Sequence, residues 1–131
     1  MPSPQPAIQK NVLGQPLETC GSKPVTGFFR DGCCRTGPED RGLHTICCVV
    51  TERFLAVSAS LGNDLSTPMP QYGFPGLKPG DRWCVCAARW LQVYHAGAAC
   101  PVVLEATHEA TLDVVPFDLL LQHAVIPETL H

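Results

Sequence analysis

Residues 27–48 read GFFRDGCCRTGPEDRGLHTICC and hold four of the eight cysteines as two adjacent pairs. Three arginines, three acidic residues and His44 share this stretch. Its glycines stand at 27, 32, 37 and 42, a five-residue spacing that neither a helix nor a strand has, so the stretch predicts successive turns. A loop crowded with thiols and charges indicates a functional site, without indicating which reaction or ligand it serves.

The segments around this loop predict an α+β fold. Residues 43–50, LHTICCVV, and residues 82–87, RWCVCA, are typical of buried strands. Because strands and helices alternate only partly, we expect a single compact domain with a small, mostly antiparallel sheet of about four strands and about three helices. The further predicted elements are helices over 51–61, 87–97 and 116–125 and strands over 101–107 and 111–115, with a hairpin turn at 108–110.

The length of 131 residues suits one domain. We expect residues 1–10, which carry three prolines, to be a disordered arm, residues 11–125 to be the domain and residues 126–131 to be a tail. Residues 63–80 predict a long loop, and its large apolar side chains indicate that it packs over the domain.

Composition narrows the class of protein. A net charge of −3 and a pI near 5.9, with no run of lysine or arginine, argue against nucleic acid or an anionic membrane as a partner. The first residues carry no secretory signal, so we expect a cytoplasmic location, where thiols stay reduced. We therefore expect that no disulfide holds the fold.

The thiols are the first candidates for chemistry. On a strand, Cys84 and Cys86 point to one face about 7 Å apart at Cα, which is too far for an easy disulfide but suits two ligands of a soft metal, zinc or copper. Cys33 and Cys34, in the glycine-rich turns, are candidates for further metal ligands or for a reactive thiolate. The alternatives are that Cys84 and Cys86 simply line the core and that Cys33 and Cys34 lie in a structural turn.

Charged residues surround these thiols. Arg30, Asp31 and Arg35, together with Asp81 and Arg82 before the second strand, are candidates for an anion-binding cradle of arginine side chains and backbone N–H groups. The alternative is a lattice of ion pairs that holds the turns in place.

The runs GFFRDGCCRTGPED, GLHTICC, GNDLSTP, GFPGLKPGDRWCVCAARW and VVLEATHEA make the chain resemble a mainly bacterial, cysteine-rich family of unknown function. The resemblance covers residues 11–124 and implies a compact, soluble, cytoplasmic single domain, but no activity, substrate or cofactor. It also implies that six cysteines stand in runs typical of the family, whereas Cys48 and Cys100 are passengers.

Two functional hypotheses follow. The first is a thiol-rich binding module that holds a soft metal or a small anionic ligand near the two cysteine pairs. The second is a small enzyme with a cysteine thiolate as nucleophile and His44 or His108 as base, although a single histidine is more often structural. Because no nucleophile–base motif is recognisable, the binding module ranks slightly ahead, and whether the chain is an enzyme stays open.

Overall fold

An antiparallel sheet of two strands lies at the centre of the computed structural model, which describes residues 9–22 and 24–125. Strand β1 is His44–Val49 and strand β2 is Arg82–Cys86, so both strands lie within the predicted segments. Apart from residues 9 and 10, the predicted arm lies outside the described residues, as does the predicted tail.

The register of the sheet contains one irregularity, and it decides where His44 points. Ile46 lies opposite Val85, and His44, two residues earlier, lies opposite Cys86. Thr45 is therefore the extra residue of a β-bulge. In a regular strand His44 would share the face of Ile46, but the bulge turns it to the face of Cys86.

Tertiary contacts hold this bulge in place. The Thr45 hydroxyl donates to the Leu43 carbonyl oxygen at 3.1 Å and accepts from the Thr111 hydroxyl at 2.7 Å. Leu43 has a left-handed backbone, with φ of 49°, which costs a non-glycine residue about 1–2 kcal/mol. The surrounding fold therefore imposes the bulge against a local preference.

Three α-helices surround the sheet within the described residues: α1, Glu52–Ser60; α2, Ala87–His95; and α3, Phe117–Gln122. Helix α1 begins where it does because the Thr51 hydroxyl accepts from the Phe54 backbone N–H at 3.0 Å. Helix α2 follows β2 without a loop, since Cys86 is both the last strand residue and the helix N-cap. The predicted helices and the α+β class are thus confirmed.

The two further predicted strands are wrong. Residues 101–107 make isolated bridges at Val102 and then a 3₁₀ turn at Leu104–Ala106. Residues 111–115 overlap a second 3₁₀ segment, Glu109–Asp113, which His108 begins by accepting from the Ala110 N–H at 2.9 Å. The β-branched residues here fit a strand, but this cap starts a turn instead.

Buried side chains form two clusters, and the alternation of the strands separates them. Ile46 and Cys48 of β1 and Val85 of β2 enter a large apolar core with Phe54 and Trp90. The alternate residues enter a small cluster that consists of Cys20, Cys34, Cys47, Cys84 and Ala106. We call its four cysteines the sulfur cluster.

The long loop over residues 63–80 packs on the domain in part. Leu77 is buried, and Leu65 and Phe74 pack against the large core, whereas Tyr72 is 72% exposed. The loop contains one 3₁₀ turn, Pro70–Tyr72. Among the described residues, no helix combines the length and the apolar character needed to cross a membrane.

Candidate functional site

The sulfur cluster is closed by disulfides, which corrects the expectation of reduced thiols. Cys20 is bonded to Cys47 and Cys34 to Cys84, with Cα atoms 5.6 and 5.3 Å apart, within the usual range for disulfides. Each bridge joins cysteines far apart in the chain, with separations of 27 and 50 residues. Cysteines adjacent in the sequence bridge poorly, but the bonded partners are distant in the sequence and only the fold brings them together.

This pairing changes the predicted metal set. Cys34 and Cys84 do meet, but as a disulfide, whereas Cys33 and Cys86 are free and half-buried. The four predicted ligands are therefore not four free thiols in this state of the protein.

A cleft of about 350 Å³ opens beside the sulfur cluster. Its walls come from residues 27–30, from the long loop and from β2. Most of the lining is apolar and aromatic, which is typical of small-molecule sites that add a few polar groups for orientation. The apolar side chains are those of Phe28, Leu65, Met69, Tyr72, Phe74, Trp83 and Val85, and the polar ones include Arg30, His44 and Cys86.

His44 is oriented by a buried carboxylate. Its Nδ1 lies 2.6 Å from Oδ1 of Asp40, whose side chain is fully buried. The second carboxylate oxygen accepts from the His44 backbone N–H and from the Thr36 hydroxyl, both at 3.0 Å. Because a carboxylate can only accept, Nδ1 carries the proton, and Nε2 of the neutral ring is left as an acceptor.

The space around the imidazole is also fixed. The ring stacks on Phe28, with centroids 6.1 Å apart. A Cβ added at Gly42 would lie 2.9 Å from Cε1 of His44, so a side chain at this position would displace the ring. The glycine at 42 thus leaves room for the observed orientation of His44.

Cys86 lies directly opposite His44 in the sheet and lines the same cleft. Cys86 is also the N-cap of α2, where the first N–H groups of a helix lack partners within the helix. The thiol and the imidazole therefore both line the cleft from opposed positions of the sheet, while the first N–H of the helix, that of Ala87, donates to the Leu43 carbonyl oxygen at 3.0 Å.

Of the five charged residues predicted to bind an anion, Arg30 is the one that lines the cleft within the described part of the chain. Its guanidinium lies 4.9 Å from the ring centroid of Trp83, and its backbone is left-handed, with φ of 55°. Asp31 and Arg35 form a 3.1 Å ion pair with each other. This pair fits the alternative of an ion-pair lattice.

The other two charged candidates lie at the turn into β2. Asp81 accepts from the Lys78 backbone N–H at 2.9 Å, which closes the turn. Arg82 is exposed and lies opposite Val49 in the ladder. Both contacts are structural.

His108 is a structural residue by its contacts. It is 8% exposed, and its Nδ1 accepts from the Ala110 N–H. Burial lowers the pKa of His108, and the nearby Glu109 carboxylate partly opposes this shift. His108 does not line the cleft, whereas His44 does and lies opposite Cys86 in the sheet.

Cys48 and Cys100 are fully buried in the large core. Burial, and then the neighbouring Cys100 thiol, raise the pKa of Cys48. Both side chains therefore serve as small apolar residues, and neither lines the cleft.

Both His44 and Cys86 are among the residues predicted from the sequence, but the sequence alone does not pair them. Cys33 and Cys34 were the candidate nucleophiles, while Cys86 was a candidate metal ligand. The missing information was the register: antiparallel pairing of the two predicted strands sets His44 opposite Cys86 only with the bulge at Thr45. Asp40 was counted with the charged loop residues, and its burial against His44 depends on the turn between them.

A family model described as "Uncharacterized protein conserved in bacteria (DUF2237)" matches residues 10–124. The chain belongs to this family. The match spans almost the whole described domain and confirms the resemblance found in the sequence. A comparison with curated proteins gives no match.

Proposed function

We propose that this DUF2237 chain is a small cysteine-dependent enzyme in which Cys86 is the nucleophile and His44 the base. The observation that carries the proposal is the placement of Cys86 opposite a histidine whose Nδ1 is held 2.6 Å from the buried Asp40. A nucleophile beside a base that a third group orients is the arrangement on which cysteine and serine acyl transfer depends.

The proposed chemistry is acyl transfer from a small carbonyl compound. Nε2 of His44 takes the thiol proton as the Cys86 sulfur forms a bond to the carbonyl carbon, and the carbonyl oxygen becomes an oxyanion. The positive N-terminal end of the α2 dipole, which begins at Cys86, stabilises that charge. Collapse expels the leaving group with the proton from His44, and water then hydrolyses the thioester by the reverse sequence of proton transfers.

The cleft also supports a class of substrate. Its apolar wall suits a hydrocarbon or aromatic portion, and Arg30 supplies a positive charge over Trp83. The proposed substrate is thus a small carbonyl compound that carries a carboxylate or phosphate. The binding of a small anionic ligand, part of the first hypothesis, becomes the recognition step of the second. The cytoplasmic location and the exclusion of nucleic acid and membranes stay predictions.

The direct test is the rate of alkylation at each cysteine of the oxidised protein, measured by peptide mass spectrometry with limiting iodoacetamide. Cys33 is the matched control, because it is also free and half-buried but lies outside the lining of the cleft. We expect Cys86 to react about tenfold faster than Cys33, and His44→Gln to remove the difference. Equal rates in the unmodified protein would contradict the proposal.

Alkylating reagents of different charge test whether Arg30 binds an anionic group in the cleft. Iodoacetate carries a carboxylate and iodoacetamide does not, so their rate ratio at Cys86 reports an anion site in the cleft. We expect Arg30→Gln to lower this ratio, whereas Arg35→Gln, which breaks the surface pair with Asp31, leaves it unchanged. An equal effect of the two variants would indicate general charge rather than recognition by Arg30.

A further inference from the structure

The four cysteines of the sulfur cluster are closer together than their two disulfides require. The sulfur atoms of Cys20, Cys34 and Cys47 all lie within 4.8 Å of one another, although Cys34 is bonded to neither of the other two. The fourth sulfur, that of Cys84, is bonded to Cys34, and its residue lies opposite Cys47 in the sheet. All four side chains are at most 2% exposed.

We propose that the reduced sulfur cluster is a tetrathiolate site for Zn²⁺. A tetrahedral zinc site with Zn–S bonds of about 2.3 Å places its sulfurs about 3.8 Å apart. No two of the three sulfurs are more than 4.8 Å apart, about 1 Å beyond that separation, and reduction lets the bonded pair Cys20 and Cys47 move apart. Rotation of the side chains after reduction is thus enough to bring four thiolates to one ion.

Backbone hydrogen bonds hold three of the four positions without help from the disulfides. The Cys47 N–H donates to the Thr107 hydroxyl at 3.1 Å and the Cys84 N–H to the Thr26 hydroxyl at 2.7 Å. The Cys20 N–H donates to the Gly32 carbonyl oxygen at 2.7 Å. Since none of these hydrogen bonds involves sulfur, they persist on reduction and keep the site assembled.

The conversion of the two disulfides into a zinc-bound tetrathiolate balances in atoms and electrons. Two equivalents of a dithiol reductant supply four electrons and four protons, become two disulfides and leave four thiols in the cluster. Zn²⁺ then displaces four protons from those thiols and forms four Zn–S bonds. The site is closed and carries no open position, as in structural zinc sites. It leaves Cys86 and His44 free, so it is independent of the proposed enzyme.

The test uses Co²⁺, a spectroscopic substitute for zinc, with the full chain reduced by a phosphine and then freed of reductant under anaerobic conditions. We expect saturable binding of one Co²⁺ per chain, with the visible absorption of a tetrahedral thiolate site, and displacement of Co²⁺ by Zn²⁺. The oxidised protein is the control and should show no such absorption. A reduced protein without this absorption would overturn the proposal.

Thiol protection identifies the ligands without relying on variants that fold poorly. With Zn²⁺ bound, alkylation should be blocked at the sulfur cluster and should proceed at Cys33 and Cys86. A double Cys33→Ser and Cys86→Ser variant should bind Co²⁺ like the parent, whereas Cys47→Ser should lose the tetrahedral absorption. Protection of Cys33 or Cys86 by the metal, or loss of binding in the double variant, would refute this ligand set.

Discussion

The sulfur cluster and the cleft are built on the same face of the same two strands, yet the cysteines are disulfide-bonded in the first, whereas Cys86 in the second is a free thiol. At the opposed pair Cys47 and Cys84, loop cysteines cover the sheet and all the sulfurs are bonded and buried. At the next opposed pair on this face, His44 and Cys86, the thiol is free and half-buried. The difference lies in position along the strands.

The second pair stands where β1 begins and β2 ends, so loops and a helix replace the sheet on one side. There β1 emerges from the left-handed Leu43 and β2 turns directly into α2. A strand end thus leaves a thiol accessible beside a histidine and the start of a helix, whereas the strand interior supports a closed cluster. The same residue type is structural at one position and available for chemistry two residues later.

The largest expected effect comes from opening the sulfur cluster. Removing either bridge, by Cys20→Ala with Cys47→Ala or by Cys34→Ala with Cys84→Ala, should lower the free energy of unfolding by about 3–4 kcal/mol, because each bridge closes a long loop of the unfolded chain. Denaturant unfolding in the presence of a chelator measures the change.

The matched control is Cys48→Ala with Cys100→Ala, which removes two buried thiols but no cross-link. It reports the cost of lost packing alone and should destabilise the protein less than either bridge variant. Equal losses in all three variants would show that packing, not the cross-links, accounts for the stability of the cluster.

At the cleft, replacing Asp40, whose carboxylate orients His44, should lower the reactivity of the Cys86 thiol. Asp40→Asn keeps the shape of the side chain but can present an N–H to Nδ1, which favours the wrong tautomer of the imidazole. We expect the alkylation rate of Cys86 to fall about tenfold, equivalent to about 1.4 kcal/mol, with no change at Cys33.

Asp31→Asn is the control for Asp40→Asn, since it removes an acidic residue that pairs with Arg35 outside the cleft. Exposed ion pairs contribute about 0–1 kcal/mol, so neither stability nor the rate at Cys86 should change much. If Asp40→Asn left that rate unaltered, Asp40 would serve the turn and not the base.

A smaller effect should follow from crowding the imidazole. In Gly42→Ala the added methyl would meet Cε1 of His44 at 2.9 Å and displace the ring, so we expect the rate at Cys86 to fall about threefold. Gly37→Ala is the matched control, because its methyl would contact Cζ of Phe29 at an ordinary 3.6 Å. Equal rates in the two variants would show that the position of His44 does not govern the thiol.

The sequence predicted those features that depend on local patterns. The buried runs around Ile46 and Val85 predicted both strands, the apolar spacing around Phe54 predicted α1, and the segment that ends at Gly97 predicted α2. The predicted strand at 111–115 failed, because the His108 cap and the Thr111 contact with Thr45 favour a turn there.

The candidate site was harder to predict, because it depends on register and on long-range contacts. The glycine-rich loop and its thiols were predicted as a crowded region, but the bonded partners of those thiols were not predicted. Cys34 meets Cys84 across 50 residues, and a one-residue bulge decides which face His44 takes. A register shift of one residue moves every side chain of a strand to the opposite face of the sheet. The hydrophobic pattern alone therefore cannot specify that His44 pairs with Cys86.

The smallest expected effect concerns the second histidine, whose backbone N–H donates to the carbonyl oxygen of the bulge residue Thr45 at 2.9 Å. Because burial lowers the pKa of His108 in the folded protein, the unfolded chain binds more protons than the folded one between the two pKa values. Stability from the neutral ring is thus present above the unfolded pKa, about 6.5, and is lost as the pH falls through the folded pKa.

His108→Asn tests this dependence while keeping an acceptor for the Ala110 N–H. Unfolding free energies measured from pH 7.5 to 5 should decline less steeply in the variant than in the parent chain. His95→Asn, at an exposed position near the end of α2, should keep the parent slope. A parent slope in His108→Asn would mean that the buried ring does not contribute to the pH response.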